Sequence, residues 1–468
     1  MKLTPHNISR DRISRKRIPL VRERSFFHRF FSVWIVLVLY NVITLGVNLI
    51  DNVMLGAYDE VAMSGVSAVN QLQFLFQQLL LGSSDAVVVL GSQYWGEHRT
   101  EPIKKFAVGA LLLGALMSLV LFLIATVAPE AVLALFTKSP AIRAAGVEYL
   151  RVMKYSYLLF AMTTLLLAVL RSVETVRIGF FVSLSTLVVN VSLNYLLIEG
   201  RFGAPALGVT GAALATLAAR AVELCVVLAY LGFMDKKLAW RLRDFLHVDL
   251  RLIRDYLRLG APFLMTSFIF GSAVAMQTVI LGNLSDTAIA ANSVASTFYQ
   301  LVKVAIVGAS SAAAILIGKA IGSGDVGKVK SYAKTLQLLF VGIGIVTSSL
   351  LFFLRGPIVD LYKEITPESR EMALQFILVL SVTGFGTAYQ MPTITGIIRG
   401  GGDAKFVFYN DLIHIWGLVI PLSLTAAFVL GWHPVAVLFC LNLDQLLKCI
   451  PAAIKANRYR WMKKLTRA

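Results

Sequence analysis

IDNVMLG (residues 50–56) and MQTVILG (276–282) are one segment written twice, and their reading decides the fold. The offset between them, 277 − 51 = 226, also lays EVAMSGVSAVN (60–70) on DTAIAANSVAS (286–296) and SQYWG (92–96) on GKAIG (318–322). A membrane chain that repeats itself over so long an interval is built from two related halves. Each copy closes one apolar run and leads into the next, so the runs themselves set the architecture.

Those runs are about twenty residues long, which is what a helix rising 1.5 Å per residue needs to cross about 30 Å of hydrocarbon. Twelve are present, over 30–50, 66–90, 105–128, 152–170, 178–198, 206–232, 261–282, 290–317, 333–355, 372–397, 406–430 and 432–454. They are continuously apolar, unlike barrel strands, which alternate over about ten residues. The bulk composition agrees. Of 468 residues 57% are hydrophobic and 15% charged, against about 45–50% and 25% in soluble domains. The expected fold is an all-α polytopic membrane protein of twelve transmembrane helices in two pseudo-symmetric six-helix lobes around a central cavity. Six spans per half return the second half to the orientation of the first, so the repeats are parallel, and rocking them gives alternating access.

The 44 Lys and Arg orient the chain, because basic loops resist translocation. Segments on the N-terminal side carry 33 of them and those on the opposite side 6. Both termini are therefore expected in the cytoplasm, with the protein in the cytoplasmic (inner) membrane. Topology and anionic lipid explain the net charge of +18, which removes nucleic acid as a partner and leaves membrane lipid. The domain reading is a basic segment 1–29, a lobe 30–234, an amphipathic linker 235–258, a second lobe 259–455 and a basic tail 456–468. The apolar stretch after residue 29 runs on towards Gly56 without a small-residue cleavage site and reads as a retained span. Cys225, Cys440 and Cys449 fall inside spans, which excludes a disulfide framework or thiol metal motif. No G-x-x-x-x-G-K-[ST] or H-E-x-x-H occurs, no extramembrane segment is long enough for a nucleotide-hydrolysing domain, and no cofactor is expected.

Four strings carry a family resemblance: LIDNVMLG ending the first span, LGSQYWGEHR ending the second, LNYLLIEGRFGAPALGVTGAALATLAAR (193–220) and IIRGGGDAKF (397–406). In order and placement, over nearly the whole chain, they resemble the MATE family of multidrug and toxic compound extrusion transporters. The resemblance implies a V-shaped pair of six-helix lobes, not an enzyme, exporting small, often cationic, amphipathic organic compounds in exchange for inward H⁺ or Na⁺. A functional monomer is expected. The alternatives are a lipid-linked precursor flippase of the related superfamily, a polytopic membrane enzyme, or a non-transporting receptor.

An ionised carboxylate in hydrocarbon costs about 2.5–3.5 kcal/mol on insertion scales, so an acid there needs a reason. Asp51, at the end of the first span, either binds the coupling ion or is a helix-end aspartate facing water. The resemblance implies the former. Asn190 and Asn194, at i, i+4 on the fifth span, put two amides on one helical face, as cation ligands or as interhelical hydrogen-bond partners. Through the resemblance, Ala212 and Thr216 on the sixth span join the cation or proton site, and Na⁺ is expected at Asp51, Asn190 and Asn194. Asn194 stands where similar proteins carry a second acid, which lowers the charge available to a hard cation. Similar proteins also have a proline in the first span where this chain has Val36; the repeat-related residue is Pro262. Acids placed in other members on spans seven and ten are missing near Phe270, Gly271 and Ala388.

Asn48, Gln277 (the repeat partner of Asp51), Lys303, Asp411 and Asp85 are candidate cavity or substrate residues. Lys303 and Asp411 are expected to pair. Arg220 and Glu223, at i, i+3, can neutralise each other. His414, alone inside its span, reads as hydrogen-bonded structure.

Overall fold

The computed structural model describes residues 18–240, 244, 249–362 and 365–467. Most of the basic segment 1–29 and residues 241–243 and 245–248 of the linker lie outside them. The described residues are mostly helical, with no strand among them. In chain order the helices are α1 (Arg24–Tyr58), α2 (Glu60–Gly96), α3 (Glu101–Val127), α4 (Pro129–Ala134), α5 (Pro140–Met153), α6 (Ser156–Ser172), α7 (Arg177–Leu197) and α8 (Gly208–Ala229). The second half holds α9 (Leu250–Gly282), α10 (Asp286–Gly322), α11 (Val326–Asp360), α12 (Pro367–Met391), α13 (Ala404–Asp411), α14 (Ile420–Leu424), α15 (Pro434–Leu441), α16 (Asp444–Leu447) and α17 (Cys449–Arg458). Stretches of π-helix carry α8 on to Met234 and α12 to Arg399, and join α13 to α14 and on to Val429.

Among the described residues eleven helices are long and apolar enough to cross a membrane, and the count is twelve when α5 and α6, a pair bent by 57°, are taken as one span. The protein is an all-α, multi-pass membrane protein. The expected fourth span, 152–170, corresponds to α6, which is long enough for a membrane crossing only together with the charged α5 before it. One correction concerns Asp51. α1 does not stop at residue 50 but continues to Tyr58, so the aspartate lies inside the helix rather than at its end.

The repeat extends to the helix boundaries. α2 begins at Glu60 and α10 at Asp286, and they end at Gly96 and Gly322; 286 − 60 = 226 and 322 − 96 = 226. Their starts are set by repeat-related caps. The carboxylate of Asp59 accepts the amide of Ala62 at 2.7 Å, and the hydroxyl of Ser285 accepts that of Ala288 at 3.1 Å. Such a cap stabilises a helix start by about 1 kcal/mol.

Close contacts divide the chain into two compact units: Met1–Val38 with Ser92–Glu97 and Phe268–Ala468, and Leu39–Gly91 with His98–Ser267. Here they are the first and second unit. In the first, the ends of α2 and α10 touch at their repeat-related glycines. A Cβ on Gly322 would stand 1.9 Å from the carbonyl oxygen of Gln93, and one on Gly96 2.2 Å from that of Lys319. Its core gathers Ile280, Ala291, Leu351, Phe376, Ile377 and Val437. The second unit is built round Leu55, Val69, Phe76, Leu80, Leu150 and Tyr157, and there α7 and α8 pack along each other. On α3, Leu112, Leu116, Leu119 and Leu123 are half or more exposed. Their spacing puts them on one face, so this apolar stripe is outward and suits hydrocarbon rather than water.

Candidate cation-coupling site

The polar groups of the second unit converge where α1, α5, α7 and α8 meet. Asp51 Oδ1 accepts from Asn194 Nδ2 at 2.5 Å, and the same Nδ2 is 3.3 Å from Asn190 Oδ1. Asn190 Nδ2 in turn donates to Thr216 Oγ1 at 3.4 Å, and the Thr216 hydroxyl donates to the Ala212 carbonyl oxygen at 3.1 Å. Asn190 and Asn194 are each 1% exposed, so their amides have no access to bulk water in this state. Asn194 Oδ1 is buried and has no hydrogen-bond partner among the described residues. An oxygen left bare beside a carboxylate is a costly arrangement unless something visits it.

Five residues expected from the sequence thus form one group: Asp51, Asn190, Asn194, Ala212 and Thr216. One contributor was missed. Tyr149 of α5 is buried with its hydroxyl next to Thr216 and within electrostatic range of Asp51. A single Tyr in an amphipathic arm carries no sequence signal. One turn beyond Thr216, Arg220 Nη1 lies 2.9 Å from both carboxylate oxygens of Glu223, as the i, i+3 spacing implied, and stacks on Phe160 with Cζ 4.6 Å from the ring centre. Glu223 also meets the Thr186 hydroxyl at 2.6 Å, a contact that joins α7 to α8.

The other candidates lie elsewhere. Asn48 is exposed on α1, and Asp85 is half-buried on α2 beside the buried Ser83, Ser84 and Ala86. Gln277, in the first unit, donates to the Leu441 carbonyl oxygen at 3.2 Å. The expected Lys303–Asp411 pair does not form. Asp411 is bound by Lys448 at 2.8 Å, and the same ammonium holds Asp444 at 3.0 Å. Lys303 instead sits 5.4 Å over the ring of Phe270, within electrostatic range of Asp444. The reason is reach: Lys448 and Asp444 are one turn apart on the same stretch of helix, so the buried ammonium arrives with one carboxylate already in place. From Asp444 a chain of hydrogen bonds runs through Gln445 to Thr387, Gln390 and Tyr299. His414 Nδ1 donates to the Asn410 carbonyl oxygen at 2.8 Å. Among the described residues no three His, Cys, Asp or Glu side chains gather as a metal site, so a hard cation would depend on Asp51 and neutral oxygens.

A multi-pass helical bundle that buries a carboxylate together with amides has the build of a membrane transporter. The chain belongs to the MatE family, whose sequence model matches twice, over residues 37–196 and 262–425, once in each half. It is 27% identical over 406 residues to a probable multidrug resistance protein NorM of Xylella fastidiosa, covering 85% of this chain and 84% of that one. A NorM protein of Streptococcus pneumoniae is 26% identical over 402 residues, covering 84% and 86%. The fold matches a crystal structure of MATE in complex with MaL6 with TM-score 0.82 at 17% identity, over 92% of this chain and 96% of that one. It matches a MOP superfamily transporter from Pyrococcus furiosus with TM-score 0.83 at 15% identity, over 96% and 100%.

Proposed function

We propose that this protein is a multidrug antiporter that exports amphipathic, cationic organic compounds in exchange for inward H⁺ or Na⁺, with Asp51 as the coupling carboxylate. The observation that carries the reading is the pairing of Asp51 with Asn194, whose own carbonyl oxygen is buried and bare. Na⁺ bound at Asp51 gains that oxygen and the neighbouring Asn190 and Thr216 oxygens as ligands; a proton on Asp51 turns the carboxyl into a donor for it. Either ion satisfies the same atom. The names of the NorM relatives support multidrug export, and no observation favours the flippase, enzyme or receptor alternatives.

In this reading the chain forms two six-helix lobes, 30–234 and 259–455, joined by the linker 235–258 and enclosing a central cavity. The protein works as a monomer in the inner membrane with both termini in the cytoplasm. The excess of Lys and Arg on one set of loops supports that orientation. The test is reconstitution into liposomes with an amphipathic cationic dye, under an imposed pH or Na⁺ gradient. Dye movement against its own gradient, driven by one of the two ions, is expected. Dye flux indifferent to both gradients contradicts the proposal.

A further inference from the structure

Glu223 and Arg220 are more than a self-neutralising pair, because Asp51 is close enough to make a third charge in the same buried space. Arg220 is one turn from Thr216 on α8, and its guanidinium is within electrostatic range of Asp51. Side chains on a helix lean towards its N-terminus, so the ordinary direction for Arg220 is up towards Thr216 and the Asp51 level. About 6 Å of helix separates the two levels, a length an arginine side chain spans. What holds the guanidinium down is Glu223, one turn on, leaning back at it with both oxygens at 2.9 Å. Glu223 is itself fixed by Thr186 of α7, and Phe160 covers the guanidinium face. Both acid and hydroxyl are buried at 6% exposure. Tyr40 of α1, within range of Arg220, Glu223 and Arg171, and Tyr149, within range of Tyr157, also face the cluster.

We propose that Glu223 is a positioning residue for coupling: it tethers Arg220 away from Asp51, leaving one uncompensated negative charge in the second unit and so a seat for one monovalent cation per cycle. The inference rests on Asp51 being the coupling carboxylate. Its physical content is a charge count. Asp51, Arg220 and Glu223 sum to −1, since Arg171, half-buried at the end of α6, acts on Tyr40 rather than on Asp51; a low-dielectric interior strongly favours zero, which one H⁺ or Na⁺ supplies. Two carboxylates with no internal cation would call for two ions, and an Asp51–Arg220 pair for none.

Neutralising the tether and then its captive tests this. Glu223→Gln keeps the volume and a bond to Thr186 but frees Arg220 to pair with Asp51, bringing the sum to zero. Arg220→Gln in that background returns it to −1. Two probes are read on purified protein: equilibrium binding of radiolabelled Na⁺, and, in Na⁺-free detergent solution, protons released on adding tetraphenylphosphonium. In the protein responding to either probe, Glu223→Gln is expected to weaken the cation signal at least about tenfold, and Arg220→Gln/Glu223→Gln to restore it to within about threefold. A merely structural ion pair predicts no rescue by removing a second buried group. An unchanged Glu223→Gln signal overturns the proposal, as does a folded double variant that stays silent. Should Glu223→Gln not fold, the double variant decides alone by whether it keeps the one-ion signal. Asp51→Asn separates the two claims: if it retains the signal, the coupling assignment fails rather than the tether.

Discussion

Each unit buries acids and bases in its membrane-spanning part, and the two resolve the resulting charge differently. In the first unit Lys448 reaches both Asp411 and Asp444, and Lys303 adds a second positive charge in range of Asp444. Two acids meet two covalently attached bases, and the sum is zero. In the second unit Asp51 meets the amides of Asn194 and Asn190, while the base in range of it, Arg220, is held by Glu223. The sum there is −1. Gln277, at the repeat position of Asp51, is a neutral group hydrogen-bonded to the backbone. The repeat preserved helix ends, caps and the glycine crossing, while the polar groups diverged; on the proposal above, that divergence confines ion coupling to the second unit.

The largest expected effect tests the closed half. Lys448→Met leaves two carboxylates buried without their ammonium, and breaking such a group costs about 3–5 kcal/mol, enough to lower the thermal unfolding temperature in detergent sharply. Neutralising the whole group, as Lys303→Met/Asp411→Asn/Lys448→Met/Asp444→Asn, is expected to recover most of that loss and to keep gradient-driven export, read as dye flux in liposomes. Loss of export in a folded quadruple variant would place coupling in the first unit and break the comparison.

A smaller change sharpens the open half. Asn194→Asp adds a second carboxylate beside Asp51, and Na⁺ affinity, measured with radiolabelled Na⁺, is expected to rise roughly tenfold because hard cations follow ligand charge. Gln277→Asp in the Asp51→Asn background is expected to restore no export, since position 277 faces the Leu441 carbonyl rather than a pair of buried amides; liposome flux reads the outcome.

The smallest effect lies outside the membrane-spanning part. Burial alone would raise the carboxyl of Asp403, but Lys455 at 2.8 Å and Lys463 at 2.7 Å hold it below its ordinary 3.8. A depressed folded value contributes stability that is present above 3.8 and fades as pH falls through the folded value. Asp403→Asn is therefore expected to unfold slightly earlier than the unsubstituted protein at pH 7, with the gap closing at acid pH; a gap that widens at acid pH contradicts the sign.

Spans and repeat were legible because each is written in many residues at once: hydrocarbon thickness demands about twenty apolar positions, and a 226-residue offset aligns several strings together. The end of α1 was not, because hydropathy fades at Asp51 while backbone hydrogen bonding carries the helix on to Tyr58. The broken span α5–α6 was hidden likewise by its charged first arm. Within the site, Asn190 and Asn194 declared themselves through spacing on one helix, and Arg220 with Glu223 did the same. Contacts between helices were not available: Tyr149 beside Thr216, Thr186 against Glu223, and the choice of Lys448 over Lys303 by Asp411 each depend on how neighbouring helices turn.

The central claim is that the coupling charge resides on Asp51 alone. Its most direct test is gradient-driven dye export by Asp51→Asn in liposomes, beside dye exchange at equal ion concentrations. Uphill export falling at least about tenfold while exchange persists is the predicted result; uphill export at the unsubstituted rate would contradict the account.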